Sequence, residues 1–200
     1  AYVAFEYAKY CLERDDLEKA AYHFDRAETM ILAKQDSRRF LEIQVYKSML
    51  CMYREDVRGF GQLLFKIKSM LTKETYQSFH DMYQKALQAS SPVDVSRLVG
   101  GIAMGAEHYV SAARLLGKAV AQRPNDVLAL RMKAQCELEC RNYTSAERSF
   151  LALTQKQPDD PEVYLNLARF YLTARFDPAL ARQHAQMAAN LNPDDSRLLV

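Results

Sequence analysis

The chain has 200 residues, with 27 basic against 25 acidic side chains, 49% hydrophobic residues and four cysteines. The charge balance holds in each half, 14 against 13 up to Pro92 and 13 against 12 beyond it, which argues against a basic stripe for nucleic acid and against an acidic solvating tail. No apolar run approaches the ~18 residues that a membrane-spanning helix needs, and the opening residues do not read as a signal peptide.

A helical pattern begins at Tyr2. Over residues 1–34 a small Ala8 marks a first helix, Ala20, Phe24 and Ala27 mark a second, and Arg14, Asp15 and Asp16 form the turn between them. Asp15 or Asp16 is placed to cap the second helix by accepting from its free amides. From Gln35 to Ser90 the helical signal persists without that spacing. Phe40, Leu41, Tyr46, Met49, Leu50 and Tyr53 give one amphipathic helix, Leu63 to Leu71 a second, and Tyr76, Phe79, Tyr83 and Leu87 a third. The first two can pair and the third has no evident partner. The block is either a three-helix unit or a set of repeats that have diverged, and an odd helix should turn the stack there.

From Ser91 onward the chain repeats. Ala112, Leu116, Ala119 and Pro124 are followed 34 residues later by Ala146, Phe150, Leu153 and Pro158, and 35 residues after those by Ala181, Ala185, Ala188 and Pro193. Gly100, Ala134 and Ala168 keep the same step in the preceding helices, where two helices pack most closely. Ser91, Asp160 and Asp177 each precede a proline at a first helical position, a cap followed by a residue whose missing amide costs nothing there. All six prolines fall at helix boundaries, and no stretch alternates long enough to be a strand.

These features resemble the tetratricopeptide repeat family, a helix-turn-helix unit with small residues at two packing points, an aromatic in the second helix and a closing proline. The unit from Pro161 to Asp194 also carries Tyr164, Leu167, Ala168 and Tyr171 at the family's large, large, small and aromatic positions. The unit from Val127 to Asp160 departs from the pattern, with Lys133 and Glu137 at two normally apolar positions, so its first helix is expected to sit differently or to be more exposed. The resemblance implies an all-α fold, a right-handed superhelix of stacked antiparallel helix pairs with an irregular helical block in the middle. Its segments are a repeat at 1–34, a divergent block of about three helices at 35–92, repeats at 93–126, 127–160 and 161–195, and the start of a further helix at 196–200. Both ends read as cut from something longer.

Chemistry is hard to find in this pattern. His23, His80, His108 and His184 are isolated, and Cys136 with Cys140 reads as two small apolar residues on one helix face, so neither a metal nor another cofactor is expected. Helical neighbours four apart hold their Cβ atoms about 5–6 Å apart, beyond a disulfide's reach, so reduced thiols and a cytoplasmic setting are favoured. A periplasmic setting stays open for a fragment. Gly100, Gly101 and Gly105 lack the Lys-Ser/Thr of a phosphate loop and fit helix packing, with Gly101 and Gly105 opening a shallow pocket on the far face. The pairs Asp15–Asp16, Asp159–Asp160 and Asp194–Asp195 sit in turns as caps, and no acid/base couple or nucleophile stands out. No enzymatic activity is expected.

The resemblance also places a partner-binding groove on the first helices, at the second, fifth, sixth, ninth, twelfth and thirteenth positions of each repeat. The candidate residues are Phe5, Lys9, Arg97, Gly101, Arg131, Gln135, Asn166 and Arg169, with Tyr2, Leu12, Asp94, Met104, Leu128, Met132, Leu138, Glu162, Leu165 and Leu172 beside them. Arg131, Gln135 and Asn166 resemble the trio with which some members hold a chaperone's C-terminal carboxylate, and Arg169 and Arg197 could add charge; Met132 and Leu165 interrupt that lining. The expected function is a non-enzymatic scaffold that binds a peptide or helix of a protein partner within a larger assembly. The alternatives are the regulatory or targeting arm of a larger enzyme, or an assembly chaperone for a bacterial secretion, pilus or polysaccharide-export system. An exposed apolar end leaves self-association open.

Overall fold

A computed structural model describes residues 1–33, 36–89 and 91–193. The expected helix start at 196–200, Arg197, the Asp194–Asp195 pair and the boundary at 34–35 lie outside the described residues. These form eleven α-helices and no strand: α1 (Tyr2–Glu13), α2 (Leu17–Leu32), α3 (Ser37–Tyr53), α4 (Val57–Ile67), α5 (Lys73–Gln88), α6 (Pro92–Gly105), α7 (Tyr109–Gln122), α8 (Val127–Glu139), α9 (Tyr143–Lys156), α10 (Pro161–Phe170) and α11 (Pro178–Leu191). They divide into two units, Ala1–Leu115 and Leu116–Val200, with the break inside α7.

One local device makes the hairpins. After α1, α3, α6, α8 and α10 a non-glycine residue takes a left-handed conformation: Asp15 (φ 62°), Glu55 (61°), Glu107 (62°), Arg141 (61°) and Phe176 (54°). Such a residue costs about 1–2 kcal/mol in backbone strain. The cost is offset by closure of the helix end, because the next amide reaches back across the last turn. Asp16 N donates to the Cys11 carbonyl at 2.9 Å, Asp56 N to Cys51 at 2.8 Å, His108 N to Ala103 at 2.9 Å and Asn142 N to Glu137 at 2.8 Å. Asp16, Asp56, Asn142 and Asp177 then cap the following helix through their side chains.

In the first unit, α1 pairs with α2 and α3 with α4. Ala8, Ala20, Phe24 and Ala27 are wholly buried, and Phe24 lies 6.0 Å from the Phe5 ring and 5.9 Å from Tyr46 on α3. The odd helix is α5. It rests on α4, where Phe60 meets Phe79 at 6.3 Å and Tyr83 at 6.0 Å. Gly61 permits that approach, since a Cβ there would stand 2.6 Å from the Tyr83 ring. α6 packs against α3 as well as α5. Tyr53 and His108 join at 2.7 Å, and Arg114 links the Tyr53 carbonyl (2.8 Å) to the Asp15 carboxylate, which also takes a bond from Ser111 at 2.7 Å. A polar seam thus fastens the start of α7 to the ends of α1 and α3.

In the second unit, Leu130, Ala134, Ala146, Phe150, Leu153, Val163, Leu167 and Phe170 form the core between α8, α9 and α10. The longer step of the last hairpin has a visible cause. One residue more separates Ala168 from Ala181 than Ala134 from Ala146, and it is absorbed by a π-helical turn, Tyr171–Arg175, that widens the end of α10.

Of the two outcomes expected from Lys133 and Glu137, greater exposure of α8 is overturned. α8 is not more exposed: Ala129, Ala134 and Cys136 are wholly buried and Glu137 is 5% exposed. Glu137 stays in the core because it is satisfied there. Lys133 lies 2.7 Å from Glu137, whose oxygens accept from Ser145 (2.5 Å) and Ser149 (2.7 Å) on α9.

Candidate functional site

The first unit carries a cleft of about 410 Å³ between the N-terminal halves of α1 and α3. Tyr2, Phe5, Ile31 and Ile43 supply its apolar surface, and Glu6, Arg38, Arg39 and Glu42 its charged rim. The opposite charges come from helix periodicity: Tyr2, Phe5 and Glu6 share one face of α1, Arg38, Arg39 and Glu42 one side of α3. Arg39 stands 5.8 Å from the Tyr2 ring centre and 3.5 Å from Asp36. Deeper along the same face, Lys9 sits 5.5 Å from the Phe5 ring and 5.4 Å from Tyr46, and bonds Glu6 at 3.3 Å. Burial draws the Lys9 pKa down, but Tyr46, Glu6 and Glu42 outweigh it, and the net shift is upward. The cation is thus set against two rings, beside apolar surface and carboxylates.

Of the candidate residues, Phe5 lines this cleft as its floor, only 7% exposed, and Lys9 lies beside it against the Phe5 ring. Leu12 does not contribute, being wholly buried. Arg97 lines another hollow of about 390 Å³ with Lys85, Gln88, Ala89, Asp94 and Leu98, where α5 ends beside α6. Gly101 is half-buried on α6, and Gly105 faces open space, with nothing within 4 Å of where a Cβ would stand.

In the second unit the carboxylate-holding trio is not free for that task. Arg131 donates to Gln157 at 2.9 Å and pairs with Asp160 at 2.7 Å, so an incoming carboxylate would have to displace Asp160. Gln135 donates to Glu139 at 2.6 Å, Asn166 is half-buried and Arg169 is exposed. Leu165 is 5% exposed and turns into the core rather than interrupting a polar lining.

The charged cleft residues missed from the sequence are Arg38, Arg39 and Glu42, all on α3. Their signal was present in the turns: Arg14-Asp15-Asp16 recurs as Arg54-Glu55-Asp56, 40 residues on, which fixes the register of α3 against α1.

No group of three metal-ligating side chains occurs among the described residues. All four cysteines are free thiols. Burial pushes Cys136 up to about 12 and also raises Cys11 and Cys51, which leaves these three as poor nucleophiles.

Two histidines give the fold an acid dependence. Burial lowers His108, beside Tyr53, and His184, stacked 5.4 Å from Tyr171, below the ordinary 6.5. A base depressed in the fold stays neutral there, so its stabilisation is present above pH 6.5 and is lost as pH falls towards the folded pKa. The carboxylates act lower. Burial raises Glu28, but bonds from Lys47 and Lys66 prevail and bring it below 4.5; Arg175 and Tyr171 hold Glu147 below 4.5 against burial. Thermal melts against pH should therefore soften in two stages, first below 6.5 and again below 4.5. Changing both histidines to Gln removes the first stage.

Residues 103–169 match the family model described as tetratricopeptide repeat. Among solved structures, the chain is similar to YrrB, described as a TPR protein with an unusual peptide-binding site, at 21% identity over 88% of this chain and 89% of that one, with a TM-score of 0.55. It is also similar to MamA AMB-1, at 15% identity over 99% and 94% with a TM-score of 0.50, and to MamA RS-1, at 15% over 88% and 97% with a TM-score of 0.50. No curated protein matches the chain. With recurrent glycine-free turns joining antiparallel helices, a matched stretch across α7, α8 and α9, and the fold of the TPR protein YrrB, residues 103–169 form a tetratricopeptide-repeat region.

Proposed function

We propose that the chain is a non-enzymatic scaffold that holds an extended peptide or a helix of a partner protein, with the cleft between α1 and α3 as its principal site, and serves within a larger assembly. The observation that carries this is the cleft itself: about 410 Å³, floored by Phe5 and Ile43 and rimmed by Arg38, Arg39, Glu6 and Glu42. Apolar floors with a few oriented charges recognise peptides by burying one or two side chains and fixing direction through the rim. The YrrB likeness supports the reading, since that protein is described as having a peptide-binding site. Lys9 extends the cleft, while Arg97 and Gly101 on α6 and Gln135, Asn166 and Arg169 in the second unit offer secondary contacts. Arg131 contributes only where a ligand carboxylate replaces Asp160. No helix among the described residues is long and apolar enough to cross a membrane. The four free thiols suit a reducing, cytoplasmic setting.

Selection of random displayed peptides on the immobilised chain tests the reading. Arg39 is exposed and touches only the neighbouring Asp36 and the exposed Tyr2 ring among its charged and ring contacts, so Arg39→Glu leaves the fold intact. Selected peptides are expected to bind that variant and Tyr2→Ala at least about tenfold more weakly, a change of roughly 1.4 kcal/mol each. Peptides that ignore both substitutions would refute the α1–α3 site.

A further inference from the structure

The odd helix α5 is held differently from its neighbours. Of its 16 residues Ala86 alone is buried, whereas every other α-helix buries at least two. Tyr76, Phe79, Met82 and Tyr83 are half-buried, and Leu87 is 51% exposed. Among the described residues its side-chain hydrogen bonds all stay within the helix or its cap: Thr75 with Thr72, Ser78 to the Glu74 carbonyl, Gln77 to Asp81 and Gln84 with His80. What holds α5 to α4 is therefore apolar, the rings of Phe79 and Tyr83 set against Phe60 and over Gly61.

The helices on either side are joined without it. α4 packs against α3, with Phe60, Leu64 and Ile67 at most 3% exposed. α6 packs against α3 directly; Ser96 on α6 donates to Glu55 just after α3, and His108 just after α6 meets Tyr53 at 2.7 Å. Departure of α5 breaks none of these contacts. A helix advances about 1.5 Å per residue and an extended chain about 3.3–3.6 Å, so a segment that unwinds gains slack and exerts no pull on α4 or α6. A lone helix of this length is marginal in water, so α5 loses its helical form once it leaves α4.

We infer that α5 is a releasable cover. It opens as one unit while α1–α4 and α6 stay assembled, and in opening it bares the Phe60 ring and the backbone at Gly61. The strip it bares lies on α4, apart from the α1–α3 cleft, so the chain carries an apolar surface that is available only in the open state. Such sub-global opening lies below global unfolding in free energy because few buried apolar groups are given up.

The test is hydrogen exchange of the 200-residue chain, read by mass spectrometry at rising sub-denaturing urea. After correction for intrinsic rates, residues 73–88 should exchange at least about tenfold faster than 57–67 and 92–105, with a weak dependence on urea, as the opening of a small unit requires. Gly61→Leu places a side chain where the Tyr83 ring lies, 2.6 Å from a Cβ at that position, and Tyr83→Ala withdraws the ring from the other side. Each should speed exchange at 73–88 at least about tenfold further and change 37–53 and 92–105 less than about twofold. Fluorescence of anilinonaphthalene sulfonate should rise in both variants, reporting the bared strip. Tyr83→Ala alters no residue of α1–α4 or α6, so it decides the matter where Gly61→Leu fails to fold. The proposal is overturned if 73–88 exchanges no faster than 57–67, if Tyr83→Ala speeds α3 and α6 as much as α5, or if the dye signal of that variant stays at the parent's level.

Discussion

Replacing Glu137 with alanine is expected to destabilise the chain by about 3 kcal/mol, near the lower end of what breaking a buried ion pair costs. The carboxylate is 5% exposed, and three groups converge on it: Lys133 at 2.7 Å, Ser145 at 2.5 Å and Ser149 at 2.7 Å. Removing it strands the Lys133 ammonium at a side-chain exposure of 21%, with only the Ser149 hydroxyl at 2.8 Å left to it. Residual solvent access to Lys133 keeps the loss from reaching the upper end of the range. The double change Lys133→Met with Glu137→Leu should restore most of the loss, because apolar side chains of similar volume need no partners. Urea denaturation of the parent and both variants checks this. A single variant within 1 kcal/mol of the parent, on the order of an exposed pair's worth, would mean that the network is effectively solvated.

Phe24→Ala should cost about 3–5 kcal/mol, the usual range for deleting a buried ring. Phe24 is wholly buried where α1, α2 and α3 meet, its ring 6.0 Å from Phe5 and 5.9 Å from Tyr46. In a repeat array the loss is local, carried by the hairpin and its neighbours rather than spread along the chain. Amide exchange should therefore rise first in α1, α2 and α3. Peptide binding should fall with it, since Phe5 floors the α1–α3 cleft. Uniformly faster exchange across every helix would contradict the local account.

The helical fold was legible because its rules are short-range. Ala8, Ala20 and Phe24, then Ala134, Ala146 and Phe150, are spaced by helix geometry and are buried as that spacing requires. Ser91, Asp160 and Asp177 cap as expected because a cap depends on only the next few amides. The candidate site was legible in part. Phe5, which lines the cleft, was named through its repeat position, but Arg39 and Glu42 were not, because α2 and α3 together are six residues longer than α7 and α8 and so break the 34-residue step, and only the recurring Arg-acid-Asp turn keeps the register. Arg131 was misjudged for a different reason. Its position on the helix was readable, whereas its pairing with Asp160, 29 residues away, depends on how α8 and α10 approach each other. Glu137 shows the same limit, since apolar periodicity cannot foresee that Ser145 and Ser149 on the neighbouring helix satisfy a buried charge.

The widened turn at Tyr171–Arg175 bears on how such a chain tolerates change in length. An added amino acid in a regular helix rotates everything after it by about 100°, which would carry Ala181 and Ala188 off their seam. Looping the surplus into one broad coil leaves the downstream phase untouched, as the burial of both alanines shows. Single-codon insertions are thus cheapest at the closing end of a first helix, and homologous hairpins that differ by one amino acid should carry the difference there.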